Sequence, residues 1–296
     1  MPRQQVTPAD WSKWRHYVSG GENEDLAEVF ENVRKQATAT TKAKWARDER
    51  TRTFCDLALH LLYQHHIRRT PSQMTDEAKI FANVQAAHLA EHAQSGFFKE
   101  CDFADSLSVD RFSATWGHQG AFFQDLIAYL FRPEPYLRRV REMHPDLIKM
   151  TSDLTLDQWI RRTGRIEIDS LRSNPMVSLH TFVETVLPTD PLVRRRVASL
   201  RRILLQQWAN LYERVFSAYG AHLRLDRGIT FNDLAQKFST IACGAFVRSQ
   251  TRDDADSSTD GDMLGQLVVD LLPAFLTISP AEIETRRPQQ PAAEKY

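Results

Sequence analysis

Between Pro191 and Gly220 the chain has no interior glycine or proline, and its apolar residues keep a helical period: Val197, Leu200, Ile203, Leu204, Trp208, Leu211, Tyr212 and Val215. Spacings of three and four put these side chains on one face of a 3.6-residue helix, whereas a strand would alternate in twos. Pro191 sits near the expected start, where its missing N–H costs no hydrogen bond. With 11 glycines and 13 prolines in 296 residues, breakers are sparse, which favours long helices over many short strands.

The same period recurs along the chain. Leu26, Val29, Phe30 and Val33 predict a short amphipathic helix within Asp25–Gln36, and Trp11, Trp14 and Tyr17 share a helical face before it. Phe54, Leu57, Ala58, Leu61 and Leu62 predict a buried helix ending near His65–His66. A further helix is expected over Thr75–Gln94, with Thr75 as N-cap and Gly96 as stop. Residues 106–131 divide into a short helix, Val109–Thr115 capped by Ser108, and a second from Gln119 to Phe131, with the break at Trp116-Gly117. Beyond Pro133 and Pro135, helices are expected at about 135–149, 155–163, 174–186, 190–220, 230–250 and 261–277. The fold class is all-α.

Composition limits the function. Thirty-eight basic residues balance 38 acidic ones, so any phosphate-binding face must be a local patch. Cys55, Cys101 and Cys243 are widely separated and odd in number, a pattern of buried reduced thiols rather than of zinc or disulfides. The N-terminus has no apolar core of a secretory leader. No run reaches the roughly 18 apolar residues that cross a bilayer. These absences point to a cytoplasmic protein without a membrane partner.

No Gly-rich phosphate loop, GxSxG or HEXXH occurs, so an enzyme is not expected, and neither is a cofactor. His88 and His92 are four apart, but Glu91 does not follow His88, and two exposed helix histidines are the simpler reading. Asp256, Ser258, Asp260 and Gly261 imitate the start of a calcium loop. Its twelfth position would be Leu267 rather than a bidentate Glu, so no metal is expected.

The segment LSVDRFSATWGHQGAFF, residues 107–123, resembles the helix-turn-helix core of the TetR (tetracycline-repressor) family, whose pattern runs roughly V-S-x-G-T-x-Y-x-H-F-x-x-K-x-x-L/F. The correspondence has no gap. Leu107-Ser108 matches the helix entry, and Phe112 and Ser113 the aromatic pair of the recognition helix. Trp116 stands at the closing Phe, Gln119 at the usual Lys, and Phe122-Phe123 opens the fourth helix. Upstream, FCDLALHLL fits the family's first helix. Three positions depart from the pattern: Asp110 puts a negative charge on the reading helix, Ser113 replaces a Tyr, and Gln119 replaces a Lys. The interval before Leu107 is also longer, as though a helix near 72–95 were inserted.

The resemblance implies a homodimeric DNA-binding regulator controlled by a small-molecule effector. It implies double-stranded DNA contacts at Ser108, Val109, Arg111, Ser113, Thr115, His118 and Gln119. The basic thread of Lys42, Lys44 and Arg47 would be a phosphate-touching arm. An effector would lie among Trp159, His180, Phe182, Trp208, Tyr212, Phe216 and Phe238, which are otherwise plain core. Homodimerisation would run through about 230–277, where Ala242 and Gly244 allow close approach. The apolar LGQLVVDLLPAFL needs either its own core or a second subunit. The implied organisation is an N-terminal extension (1–41), a divergent helix-turn-helix domain (42–132), a helical effector and dimerisation domain (133–279) and a disordered tail (280–296).

Two other readings stay open. A protein of the same fold, with its groove-facing surface altered or masked, would act as an interaction or sequestering module. The arginines at 138–141, 161–165 and 194–202 are interleaved with acids and read as solvated faces, although the last run could hold an anion or an acidic partner.

Overall fold

A computed structural model describes residues 8–20, 24–34, 37–67, 84–94, 104–249 and 257–289. The described residues are helical throughout, apart from turns and one isolated antiparallel bridge between Leu223 and Leu276. In chain order the α-helices are α1 (Pro8–Val18), α2 (Ala39–Ala46), α3 (Glu49–Leu62), α4 (Ala86–Gln94), α5 (Val109–Trp116), α6 (Gln119–Leu130) and α7 (Glu134–Lys149). They continue with α8 (Leu156–Ser173), α9 (Pro175–Val186), α10 (Pro191–Ala218), α11 (Phe231–Ser249), α12 (Ser257–Leu271) and α13 (Pro280–Thr285). Among the described residues no helix is long and apolar enough to cross a membrane.

The chain forms two compact units. The first takes residues 1–135 and 175–200, and the second residues 136–174 and 201–296. The expected single boundary at 132/133 is therefore corrected: α9 and the first turns of α10 belong with the N-terminal residues. The reason is local packing. Met176, Leu179 and Val183 of α9 are buried, the His180 ring lies 4.4 Å from Phe131 with Nε2 2.9 Å from the Leu130 carbonyl, and Phe182 stacks on His66 at 5.1 Å.

In the first unit α3 is the hub. Phe54, Cys55, Leu57, Ala58, Leu59, Leu61 and Leu62 are all buried, so the helix is surrounded. It carries the carboxylate of Asp56 into that interior. A buried carboxyl needs a partner, and Tyr129 supplies it, while described residues of 8–34 pack around the same interior. The Tyr129 hydroxyl donates to Asp56 Oδ1 at 2.6 Å, and the Trp14 indole donates to the Asp56 carbonyl at 3.1 Å. Arg132 lies over the Tyr129 ring at 3.5 Å and donates to Glu24 Oε1 at 2.8 Å, to the Tyr129 carbonyl at 2.6 Å and to the Val18 carbonyl. The described residues among 1–41 are thus packed into the unit rather than appended to it. The helix expected within 25–36 does not form either: Leu26, Phe30 and Val33 are buried from successive turns, pinned where Asn32 donates to Asp125.

In the second unit α8 and α12 meet backbone to backbone. A Cβ added at Gly164 would stand 3.0 Å from both the Gly261 carbonyl oxygen and the Gly265 nitrogen. One added at Gly261 or Gly265 would stand 2.7 Å from Arg165 Cα or Arg161 Cα. α8 runs on to Ser173, past the stop expected near 163, and Gly164 inside it makes room for a neighbour rather than ending the helix. Arg161 and Arg165, expected as a solvated face interleaved with acids, reach across this seam to Gln266 and Asp262, and Arg161 also pairs with Asp157 on α8 itself. Trp159, Ile160, Leu211, Phe216, Tyr219, Leu234, Leu264 and Val268 fill the core beneath.

The expected disordered tail is also corrected through Gln289. Ser279 caps α13 in a reciprocal box with Glu282, and Ile283 is fully buried. Arg286 donates to the Gly220 carbonyl and accepts from Leu156 N, while Gln289 N donates to the Ala218 carbonyl. Residues 290–296, the 72–83 portion of the expected insertion, all of 97–103 with Cys101, and 251–256 of the Asp/Ser-rich loop lie outside the described residues. Cys55 is buried but Cys243 is exposed on α11, which corrects the expectation of buried thiols. His92 is half-buried, 6.1 Å from the His60 ring, whereas His88 is exposed.

Candidate nucleic-acid interface

The short helix α5 is built as a separate rod. Ser108, in extended backbone, accepts from Arg111 N at 3.1 Å and caps its start. Gly117 ends it at φ 75°, a left-handed conformation that favours glycine. His118 then caps α6 by accepting from Ala121 N at Nδ1, 3.2 Å away. At the far end of α5 the Thr115 carbonyl accepts from Arg34 N at 2.9 Å.

One face of this rod is anchored by rings. Phe112 lies 4.9 Å from Phe122, and Trp116 lies 4.8 Å from Phe122 and 5.8 Å from Phe54, all edge-on. The Trp116 indole donates to Asp125 Oδ2 at 3.1 Å. Asp125 also accepts from the backbone and side chain of Asn32, so three N–H donors converge on it. Burial nonetheless pushes its carboxyl up to about 6 against these donors. The pattern search missed Asp125, whose signal is the spacing of nine residues between the indole and its acceptor.

The opposite face is open. Val109 is 44% exposed, and Asp110, Ser113, Gly117, His118 and Gly120 are exposed beside it. Three residues expected on that face are placed otherwise. Thr115 is 1% exposed, and its hydroxyl donates to the Arg111 carbonyl at 2.8 Å, so it is corrected to a core residue. Gln119 is half-buried, donating to the Val84 carbonyl at 2.9 Å and accepting from Ala86 N at 3.2 Å. It holds the start of α4 instead of facing a phosphate. Arg111 turns back over the Trp45 ring at 4.0 Å and pairs with Asp48.

Sequence reasoning also missed Trp45 and Asp48. Asp48 accepts from Arg50 N to cap α3 and holds Arg111 as well. Trp45 is covered by Arg111 on one contact and by Arg34 at 4.4 Å on another. The basic thread is folded into α2 and α3 rather than loose. Lys44 is exposed, Lys42 is half-buried, and Arg47 reaches Asp25 at 2.8 Å.

The aromatic residues expected around an effector fall into two groups. Trp159, Trp208, Tyr212, Phe216 and Phe238 belong to the second unit. Trp208–Tyr212, Tyr212–Phe216 and Tyr212–Phe238 are 5.6, 5.8 and 5.4 Å apart. His180 and Phe182 belong to the first unit, against Phe131 and His66, and are corrected out of the set. In the region expected to dimerise, Leu264, Val268 and Val269 are buried in their own unit, while Val247, Leu267 and Leu271 are exposed. Comparisons with protein-family models, with curated proteins and with solved structures each found no match for this chain.

Proposed function

We propose that this chain is a homodimeric, DNA-binding transcription regulator resembling the tetracycline-repressor family, with α5 as its reading helix and the second unit as its effector-responsive part. The observation that carries the reading is the construction of α5: eight residues, capped at Ser108, stopped at Gly117, held by Phe112 and Trp116 and open on the other face. A helix of that kind can enter a major groove without unpacking its own domain. Val109 and Ser113 would face base edges, and the N–H groups that open α6 at Gln119 and Gly120 would meet a phosphate. Lys42 and Lys44 would track the backbone. Two copies would set their α5 helices about 34 Å apart, one turn of duplex.

A mobility-shift assay at low salt with genomic fragments tests this. Retention that weakens steeply with salt is expected. A folded dimer that retains no fragment refutes it.

A second reading is favoured by the pairing of Arg111 with Asp48 and by the exposed Asp110. In it the fold is kept but the groove-facing surface serves a protein partner. Asp110→Ser in the same assay separates the two, because removing a phosphate-repelling charge strengthens retention only if α5 faces DNA.

A further inference from the structure

We propose that the cavity bounded by residues 31–32, α6 and the first turns of α10 binds a zwitterionic α-amino acid with an apolar side chain, its carboxylate between Arg195 and Arg196 and its ammonium at Asp190. The cavity lies wholly within the first unit, apart from the effector-responsive part proposed above. Its volume of about 390 Å³ is within the range of small-molecule sites. Asp125 ties it to α5, because the carboxylate in its wall is the one that accepts from the Trp116 indole. The binding site itself does not rest on the regulator reading.

The charges on the wall divide by what already engages them. Asp125 is fully buried, and the Asn32 backbone, the Asn32 side chain and the Trp116 indole all donate to it. Glu31 Oε1 accepts from an Arg196 Nη at 2.6 Å. Two charges are left over. Asp190 accepts from Val193 N at Oδ1, 2.9 Å away, and has no ion-pair partner among the described residues. Arg195, also on the wall, has none either. Arg196 adds a further donor: its Nε is shielded from water and meets no acceptor, so the Glu31 contact leaves that guanidinium incompletely satisfied. Such a donor costs free energy in the empty fold and calls for an explanation.

The class of ligand follows from these remainders. An anion alone would suit the two arginines but leave Asp190 unmatched beside Glu31 and Asp125. A cation alone would suit Asp190 but meet Arg195 head-on. A molecule carrying both charges on one carbon unit matches each remainder with its opposite. Its carboxylate would take the charge-assisted hydrogen bonds that planar guanidinium groups make best. Ala128, Pro191 and Leu192 supply the apolar part of the wall, which suits an apolar side chain rather than a polar one.

Calorimetric titration of the full chain at neutral pH with phenylalanine, phenethylamine and hydrocinnamate tests the proposal without any DNA. The three share a ring and a chain and differ in carrying both charges, the cation alone or the anion alone. Phenylalanine should bind roughly tenfold or more tighter than either singly charged analogue. Asp190→Asn keeps an acceptor to cap α10 and should weaken phenylalanine and phenethylamine together while sparing hydrocinnamate. Arg195→Gln, at an exposed position, should weaken phenylalanine and hydrocinnamate together while sparing phenethylamine. No preference for phenylalanine in the unaltered chain overturns the proposal, even where a variant does not fold. A phenylalanine affinity unchanged in either folded variant overturns it too. Failure of the chain to retain DNA touches the regulator reading and not this one.

Discussion

The contact between α8 and α12 gives the sharpest test of the packing, because three glycine-to-alanine substitutions should differ in sign. In a helix interior, alanine is favoured over glycine by about 0.8–1 kcal/mol. At Gly244 of α11 an added Cβ meets nothing within 4 Å, so Gly244→Ala should stabilise by nearly that amount. At Gly261 and Gly265 the same methyl would stand 2.7 Å from an α8 Cα. Carbon atoms rest at roughly 3.5–4.0 Å, so α12 would have to retreat by about 1 Å, loosening Leu264 and Val268. Overpacking of this kind costs about 1–3 kcal/mol, occasionally more. The clash sits on backbone atoms that cannot rotate away, so the upper part of that range applies. After the propensity gain, each variant should lose about 1–2 kcal/mol. The double variant should lose less than the sum, since one retreat serves both methyls. Urea unfolding followed by circular dichroism reads all four. Gly261→Ala raising the midpoint as Gly244→Ala does would refute the close contact. Gly244→Ala lowering it in a concentration-dependent way would instead place a second subunit against α11.

Four further outcomes are expected. Arg132→Met leaves Glu24, whose side chain is 5% exposed beside an Arg132 at 1%, without its partner. That should cost about 3–5 kcal/mol in urea unfolding, and Glu24→Gln in the same background should recover part of it. Asp125, raised from 3.8 to about 6, binds its proton more tightly in the fold than in the unfolded chain. Its contribution is therefore full below pH 4 and is lost as pH rises through 6, by up to about 3 kcal/mol. Stability measured at intervals across that window should fall in the wild type relative to Asp125→Asn, and equal slopes would count against it. Ile283→Ala should cost about 2–4 kcal/mol, a loss that a disordered tail would not show. Asp48→Asn should free Arg111 and sharpen the preference for fragments that offer guanine under α5, whereas an unchanged preference would mean that Arg111 never reaches a base edge.

What the sequence could convey was set by which forces are periodic. The all-helical class and the division at Gly117 follow from apolar spacing and from one residue type at a strained φ, both local signals. The helix expected within 25–36 failed because Leu26, Phe30 and Val33 satisfy the same spacing while wrapping onto a core made elsewhere. The tail failed for the opposite reason. Its polar composition hid the single Ile283 and the backbone hydrogen bonds of Arg286 and Gln289, which have no compositional trace. Gly164, Gly261 and Gly265 were visible as letters. Their meaning depends on two helices meeting about a hundred residues apart in sequence, and no one-dimensional pattern encodes that.

The site residues were misjudged where charge decides. Periodicity puts Arg111 near the open face of α5, but Asp48, 63 residues earlier, draws it back. How firmly it is drawn can be bounded. The pair is about a quarter exposed on both sides, so its worth lies near the 0–1 kcal/mol of exposed ion pairs, to which the Trp45 face adds about 0.5–1 kcal/mol. A bidentate contact between an arginine and a guanine edge supplies about 1–3 kcal/mol of discrimination. The two sums overlap. Asp48 and Trp45 therefore hold Arg111 without locking it, and in the regulator reading a duplex offering guanine under α5 would compete with them on equal terms, while a duplex lacking it would not. On this arithmetic, in the regulator reading, leaving Asp48 subtracts from the gain at guanine, so Asp48→Asn should sharpen the preference for guanine under α5 rather than relax it.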